Sequence, residues 1–207
     1  MEQDIAILIA DLSGYTSLTD THGAIAAADL VDKYMAFVEN SLVGKSEFHQ
    51  RTGDEVLIIS LSADDLLCSA IALIENTSME NEFLQIHGGL HYGKVLKRNN
   101  HYFGNTINLA SRIASKASSG TLWCSEDFIN ALENRGSIGF EARGEHDFKN
   151  LRDKNTIYEL MVHRSETVYI DPVCKMQIND KTNALAHPTK PDLFFCSKSC
   201  LEIYLEK

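Results

Sequence analysis

The sequence is short of three things that would place it quickly: a long apolar run, a surplus of basic residues and a pairable set of cysteines. No stretch approaches the roughly 18 uninterrupted apolar residues a spanning helix requires, and Met1-Glu2-Gln3-Asp4 lacks the basic start of a secretory signal. A cytoplasmic protein with no membrane partner is therefore expected. Lys and Arg number 19 against 29 Asp and Glu, a formal charge of −10. That balance repels phosphate backbones and anionic lipid, which argues against nucleic acid as a main partner. A small anionic substrate would need local positive charge and metal. Five cysteines are an odd set, and Cys174, Cys196 and Cys200 fall in the last 34 residues. In a reducing compartment this favours metal ligation over disulfides. Proline is scarce, with all three between Pro172 and Pro191. No internal repeat or low-complexity tract interrupts the 207 residues, and 44% hydrophobic content is ample for a core.

What is present is a mixed succession of strands and helices. Ile5 to Ala10 is a continuous apolar run ending in Asp-Leu-Ser-Gly-Tyr-Thr, which reads as a buried strand entering a tight turn. Ala28, Val31, Met35, Val38 and Leu42 recur at steps of three and four, an apolar stripe along a helix. Glu55 to Leu61 reads as a strand that closes a hairpin with Asp54 at its tip, and Ala63 to Glu75 reads as a helix. Gln85 to Lys97, with three glycines, predicts strands joined by a close turn. A helix should run from Thr106 to Ala117, stopped by Gly120, with Asn108 and Arg112 four apart on one face. A short strand (Thr121 to Cys124), a helix (Glu126 to Glu133) and a last strand (Asn155 to Val162) follow.

The chemistry centres on two carboxylates. Adjacent central strands would bring Asp11, at a strand end, beside Asp54. Such a pair suits a hard cation that also binds phosphate oxygens. Taken alone, Asp11 ahead of Ser13-Gly14 also suits a helix cap, and Gly53-Asp54 also suits a hairpin turn.

Longer strings surround both residues. Ile9 to Thr16 (IADLSGYT), Thr52-Gly53-Asp54-Glu55 and Tyr102 to Arg112 (YFGNTINLASR) together resemble the catalytic domain of class III adenylate and guanylate cyclases, over roughly Ile5 to Met161. The resemblance implies an α/β (α+β) fold with a ferredoxin-like mixed sheet and flanking helices. It also implies two Mg²⁺ or Mn²⁺ ions on Asp11, Asp54 and the carbonyl of Leu12. The amides of Ser13, Gly14, Tyr15 and Thr16 would face phosphate at a helix N-terminus, where unpaired N–H groups favour anions. Asn108 matches the residue that orients ribose, Arg112 the one that stabilises charge on the α-phosphate, and Lys149 a lysine that contacts the triphosphate. The implied reaction is attack of the ribose 3′-hydroxyl on the α-phosphorus, giving a cyclic nucleotide and pyrophosphate. Carboxylates from one subunit and Asn, Arg and Lys from another would form each site, so a head-to-tail homodimer is implied.

Gln50 and His101 stand at the base-reading positions, where the family's adenylate cyclases usually carry Lys, and Asp or Thr. Both can donate or accept, so neither fixes adenine against guanine. Arg51 should point to the opposite strand face. Thr52 to Val56 also resembles the diguanylate cyclase signature, but has Thr52 and Val56 where that motif has Gly and Phe, and it leaves YFGNTINLASR unexplained.

Composition shifts near His163 to Thr167, which divides the chain into a catalytic domain (1–163), a linker (164–169) and a small module (170–207). About 40 residues are too few to hold together by burial alone, so metal or docking onto the larger domain is expected. Asp171-Pro172-Val173-Cys174-Lys175-Met176 and Phe194 to Cys200 resemble the YHS domain of the TRASH-like metal-binding group, with Lys175 in place of the usual Gly. Cys174, Cys196 and Cys200 suit Zn²⁺ or Cu⁺, with His187 the nearest candidate for a fourth ligand. Three reduced thiols in a small core are the alternative. The function expected is a nucleotidyl cyclase, ATP favoured over GTP. A catalytically silent nucleotide-binding regulator and a heavy-metal sensor or carrier remain the other classes.

Overall fold

A computed structural model describes residues 1–136, 138–148, 154–162 and 168–206. The elements, in order, are β1 (Glu2–Leu12), α1 (Tyr15–Asn40), β2 (Ser46–Thr52), β3 (Glu55–Ser60), α2 (Ala63–Met79), β4 (Phe83–Leu84), β5 (Ile86–Arg98) and β6 (His101–Phe103). There follow α3 (Asn105–Ala114), β7 (Leu122–Ser125), α4 (Glu126–Asn130), β8 (Gly139–His146) and β9 (Asn155–Met161). The chain ends in β10 (Tyr169–Ile170), β11 (Met176–Ile178), β12 (Leu185–Ala186), β13 (Phe194–Phe195) and α5 (Lys198–Leu205).

The main sheet has the order β2-β3-β1-β5-β7-β9-β8, with β6 pairing to β5. Pairing is antiparallel except between β5 and β7, so the fold is a mixed α+β layer as expected. The unbroken apolar run of β1 places it between β3 and β5, with both of its faces covered. Ala6, Leu8, Ala10 and Leu12 pack under α1 and α2 with Leu30, Tyr34, Leu66 and Leu73. Ile5, Ile7 and Ile9 meet Ala110 and Ala114 of α3 on the other side.

Several elements differ from the sequence expectation. Gln85 to Lys97 is not two strands with a close turn: β5 runs unbroken for 13 residues. Its glycines serve close approach instead. A Cβ on Gly89 would fall onto the backbone of Ala110 and Ala114, so α3 rests directly on the strand at that point. Gly89→Ala is expected to push α3 off the sheet and destabilise the protein by about 1–3 kcal/mol in chemical denaturation, because backbone cannot yield as a side-chain tip can.

Helix α1 begins at Tyr15, far ahead of the predicted stripe, and is kinked at Gly23 (φ 85°, ψ 169°). Its buried residues are Leu18, Ala27, Leu30, Val31, Tyr34 and Val38, and Ala28 is exposed. Helix α3 stops at Ala114 and α4 at Asn130, both short of expectation. Strand β8 went unpredicted because nearly every residue of this edge strand is exposed, which erases the alternation that marks a half-buried strand.

The carboxy-terminal segment docks on the main body. β11 extends a small sheet through β4, with Met176 opposite Leu84 and Gln177 opposite Phe83. The buried Gln177 amide donates to the carbonyls of Thr77 (2.5 Å) and Glu80 (2.6 Å), and Asn179 Nδ2 donates to that of Ser78 (2.9 Å). Of the linker, 164–167 lie outside the described residues.

Candidate active site

Asp11 ends the stretch Ile5, Ile7, Ile9 on one face of β1, and Asp54 sits in the two-residue turn between Thr52 and Glu55. The sheet order puts β3 beside β1, which brings the two carboxyl groups close enough to perturb each other's ionisation. Burial and the neighbouring charge of Asp11 push Asp54 up to about 6; burial also raises Asp11, against a lowering by the adjacent Asp54 carboxyl and by the hydrogen bond it accepts from the Leu12 amide. Glu55 is raised by burial and by Asp54. A half-buried carboxylate pair that can stay ionised only at mutual expense fits a divalent cation, whose charge would offset that repulsion.

The loop after Asp11 leads into α1. Gly14 is its N-cap with φ 94°, a left-handed conformation suited to glycine, and no side chain caps the helix. The first intrahelical bond runs from the Leu18 amide to the Gly14 carbonyl, so the amides of Tyr15 and Thr16 precede the hydrogen-bond ladder. Ser13 departs from the expectation: its amide donates to the Gln85 carbonyl at 2.8 Å. Its hydroxyl contacts His87 Nδ1 at 3.0 Å. His87 lies opposite Asp11 on β5, and burial lowers its pKa against the opposing pull of Asp54. Sequence reading passed over His87; the register of Asp11 against the QIHGG stretch is the signal that finds it.

Gln50 and His101 are exposed, on β2 and β6. A bulge shifts the register between Phe48 and Gln50, so Phe48 stands opposite Ile58 and Gln50 opposite Leu57. Ile58 and Leu57 belong to opposite faces of the sheet, hence Gln50 joins the α3 face, and Arg51, opposite Val56, takes the other. His49, the bulged residue, lies against Tyr102 (ring centroids 5.0 Å) and is held below its usual range by burial and by the His101 charge. The structure thus brings His49, His101 and Tyr102 together.

Asn108 is exposed on the side of α3 opposite its buried stripe of Thr106, Leu109, Ala110, Ile113 and Ala114. Arg112 is half-buried, and its Nη1 is buried without a hydrogen-bond partner. Among the described residues Arg112 forms no ion pair with Asp11 or Asp54. Lys149 lies outside the described residues.

The carboxy-terminal cysteines converge: Cys174 and Cys196 Sγ are 3.4 Å apart, Cys196 and Cys200 Sγ 3.7 Å. His187 is not their partner. Its Nδ1 accepts from the amides of Thr189 and Lys190, which makes it a turn residue packed edge-on to Tyr204. The imidazole beside the cysteines is His22, from α1.

Fold and site define an α+β domain with a carboxylate pair at a strand end beside an uncapped helix N-terminus. Residues 1–162 match the family described as the adenylate and guanylate cyclase catalytic domain, and the chain belongs to it. It is 33% identical over 114 residues to an uncharacterized protein of Mycobacterium tuberculosis, covering 55% of this chain and 30% of that one. An adenylate cyclase of Glutamicibacter nicotianae is 31% identical over 130 residues, 62% of this chain and 32% of the relative. The chain thus spans about a third of the length of these curated relatives. The crystal structure of the adenylyl cyclase CyaB from P. aeruginosa superposes with a TM-score of 0.67 at 18% identity, covering 81% of this chain and 98% of that one. That likeness bears on the fold. No described helix is long and apolar enough to cross a membrane.

Proposed function

We propose that the chain is a nucleotidyl cyclase that converts a nucleoside triphosphate, ATP in preference to GTP, to a 3′,5′-cyclic nucleotide and pyrophosphate. The observation that carries this reading is the half-buried carboxyl pair Asp11 and Asp54 beside the uncapped amides of Tyr15 and Thr16, on a chain of the cyclase family. Asp11, Asp54 and the Leu12 carbonyl hold two Mg²⁺ or Mn²⁺ ions, which when bound neutralise triphosphate charge and make the 3′-hydroxyl easier to deprotonate. The Gly14, Tyr15 and Thr16 amides receive phosphate oxygens. Arg112 brings an orphan donor to the charge that develops on the α-phosphate, Asn108 orients the ribose, and Lys149 contacts the triphosphate. Gln50 and His101 face the base, with His49 beside them. ATP is favoured because the Glutamicibacter relative is an adenylate cyclase.

Asn108 turns away from its own sheet, and Arg112 Nη1 is buried with no hydrogen-bond partner among the described residues, which supports a head-to-tail homodimer with two shared sites. Residues 1–163 then form the catalytic domain and 170–207 a YHS-like module. Purified protein incubated with each of the four nucleoside triphosphates and Mn²⁺ or Mg²⁺ is expected to release cyclic AMP fastest, with equimolar pyrophosphate. Bound nucleotide with no product from any of the four would instead favour a silent regulator.

A further inference from the structure

The sequence places Cys174, Cys196 and Cys200 in the small module with His187 as the nearest fourth ligand; the structure instead brings in an imidazole from α1. The fourth donor, His22, is the last residue before the Gly23 kink of α1, the helix that starts at the phosphate-facing loop. Cys200 and Cys196 Sγ lie 3.5 and 3.6 Å from His22 Nε2, and all four donor atoms lie within 4.8 Å of one another. Metal–ligand bonds of the lengths usual for Zn²⁺, arranged tetrahedrally, place sulfurs about 3.8 Å apart and sulfur about 3.6 Å from nitrogen. The bonded sulfur–sulfur distance of a disulfide is about 2 Å, far from the spacing here. The cluster therefore has the dimensions of a closed four-ligand site.

The surroundings hold the ligands in place. Buried Asp171 accepts from the amides of Val173 (2.8 Å) and Cys174 (3.2 Å) through one oxygen and of Cys196 (2.8 Å) through the other, tying both cysteine loops to one carboxylate. Ser197 caps α5 by accepting from the Cys200 amide at 3.2 Å. Lys175, next to Cys174, adopts φ 69°, a left-handed conformation that non-glycine residues rarely take. In that conformation its side chain covers Gly14: a Cβ built there would be 2.5 Å from Lys175 Cβ. The segment from Gly14 to His22 is thus held at both ends by the Cys174 turn and the cysteine cluster.

We propose that His22, Cys174, Cys196 and Cys200 form one tetrahedral site for a borderline metal ion of the Zn²⁺ class, shared between α1 and the carboxy-terminal module, and that occupancy fixes the first two turns of α1 behind the phosphate-facing loop. A thiolate-rich set with one imidazole selects such an ion over Mg²⁺ or Mn²⁺, so the site is chemically separate from Asp11 and Asp54. Binding energy then passes directly into the position of that segment.

Titration of the reduced full-length chain with Co²⁺ tests this. One equivalent is expected to give the intense visible bands of tetrahedral coordination together with thiolate-to-metal charge transfer, and Zn²⁺ should displace it. His22→Gln is expected to weaken binding about 100-fold or more and change the visible bands, while His22→Cys restores four ligands and tight binding. Hydrogen exchange of the amides of residues 15–22 should slow with Zn²⁺ in the wild-type chain and not in His22→Gln. Unchanged affinity and spectrum in His22→Gln, with Cys196→Ser abolishing the charge-transfer band, would place the metal on the cysteines alone and overturn the shared site. No thiolate band in the wild-type chain would overturn it outright, as would a mass two hydrogens short from an oxidised Cys174–Cys196 pair that persists under reductant.

Discussion

Asp54→Asn is expected to lower cyclic-nucleotide formation by about 10³-fold, in the range for removing one preorganised group from a charged transition state. The same substitution should leave the metal-free protein as stable as the wild type or more so. The two expectations have one cause. Asp54 is pushed up to about 6 by burial and by Asp11, so ionising it in the folded state is harder than in the unfolded chain. The sign follows from linkage: an acid with a raised folded value favours folding below its ordinary value of 3.8, and that contribution is lost as pH rises through about 6. Asparagine keeps the shape and removes the repulsion. Melting temperature with chelator or Mn²⁺, at about pH 5 and about pH 7.5, reads this out: Mn²⁺ should stabilise the wild type more at the higher pH, where no proton competes for the carboxylates. It should hardly stabilise Asp54→Asn at either. Turnover within tenfold of wild type in Asp54→Asn would remove the residue from the metal set.

Much of this site was legible because it lies where pattern and chemistry coincide. The apolar run of β1 reads as a buried strand ending in Asp11, and Asp54 as the tip of a hairpin, and the structure has both features; their pairing as a site came from the longer strings around them, since each alone also suits a cap or a turn. What stayed hidden depends on register and tertiary contact. His87 is opposite Asp11 only once β5 is known to be one continuous strand, and its glycines suggested a turn because no sequence rule separates a bend from a place where a helix rests on the backbone. His49 reaches Tyr102 through a bulge that adds one residue to β2, which strict alternation cannot foresee. His22 is the clearest case. It precedes Cys196 by 174 residues, on a helix whose periodicity announces a core stripe and nothing about cysteines. Conversely, His187 was favoured by nearness in the chain, and its ring nitrogen is engaged with backbone amides two and three residues on.

Arg112→Ala is expected to cost about 10²–10³-fold in turnover with a smaller change in KM, because the guanidinium acts on charge that grows as the α-phosphate is attacked. Loss of activity alone would not say which chain the arginine serves. Mixing does. In a head-to-tail dimer, a heterodimer of Asp54→Asn and Arg112→Ala chains holds one doubly damaged site and one site in which the Arg112→Ala chain supplies both aspartates and the Asp54→Asn chain supplies Asn108 and Arg112. Random exchange between equimolar inactive variants should then recover about a quarter of wild-type activity, half the dimers being mixed and half their sites intact. If each chain built its own complete site, mixing would recover nothing. Recovery is the expected result because Arg112 keeps a buried Nη1 with no hydrogen-bond partner among the described residues. A cation so placed gains most from an anion delivered from outside its own chain, and a triphosphate held by the other subunit's aspartates is such an anion.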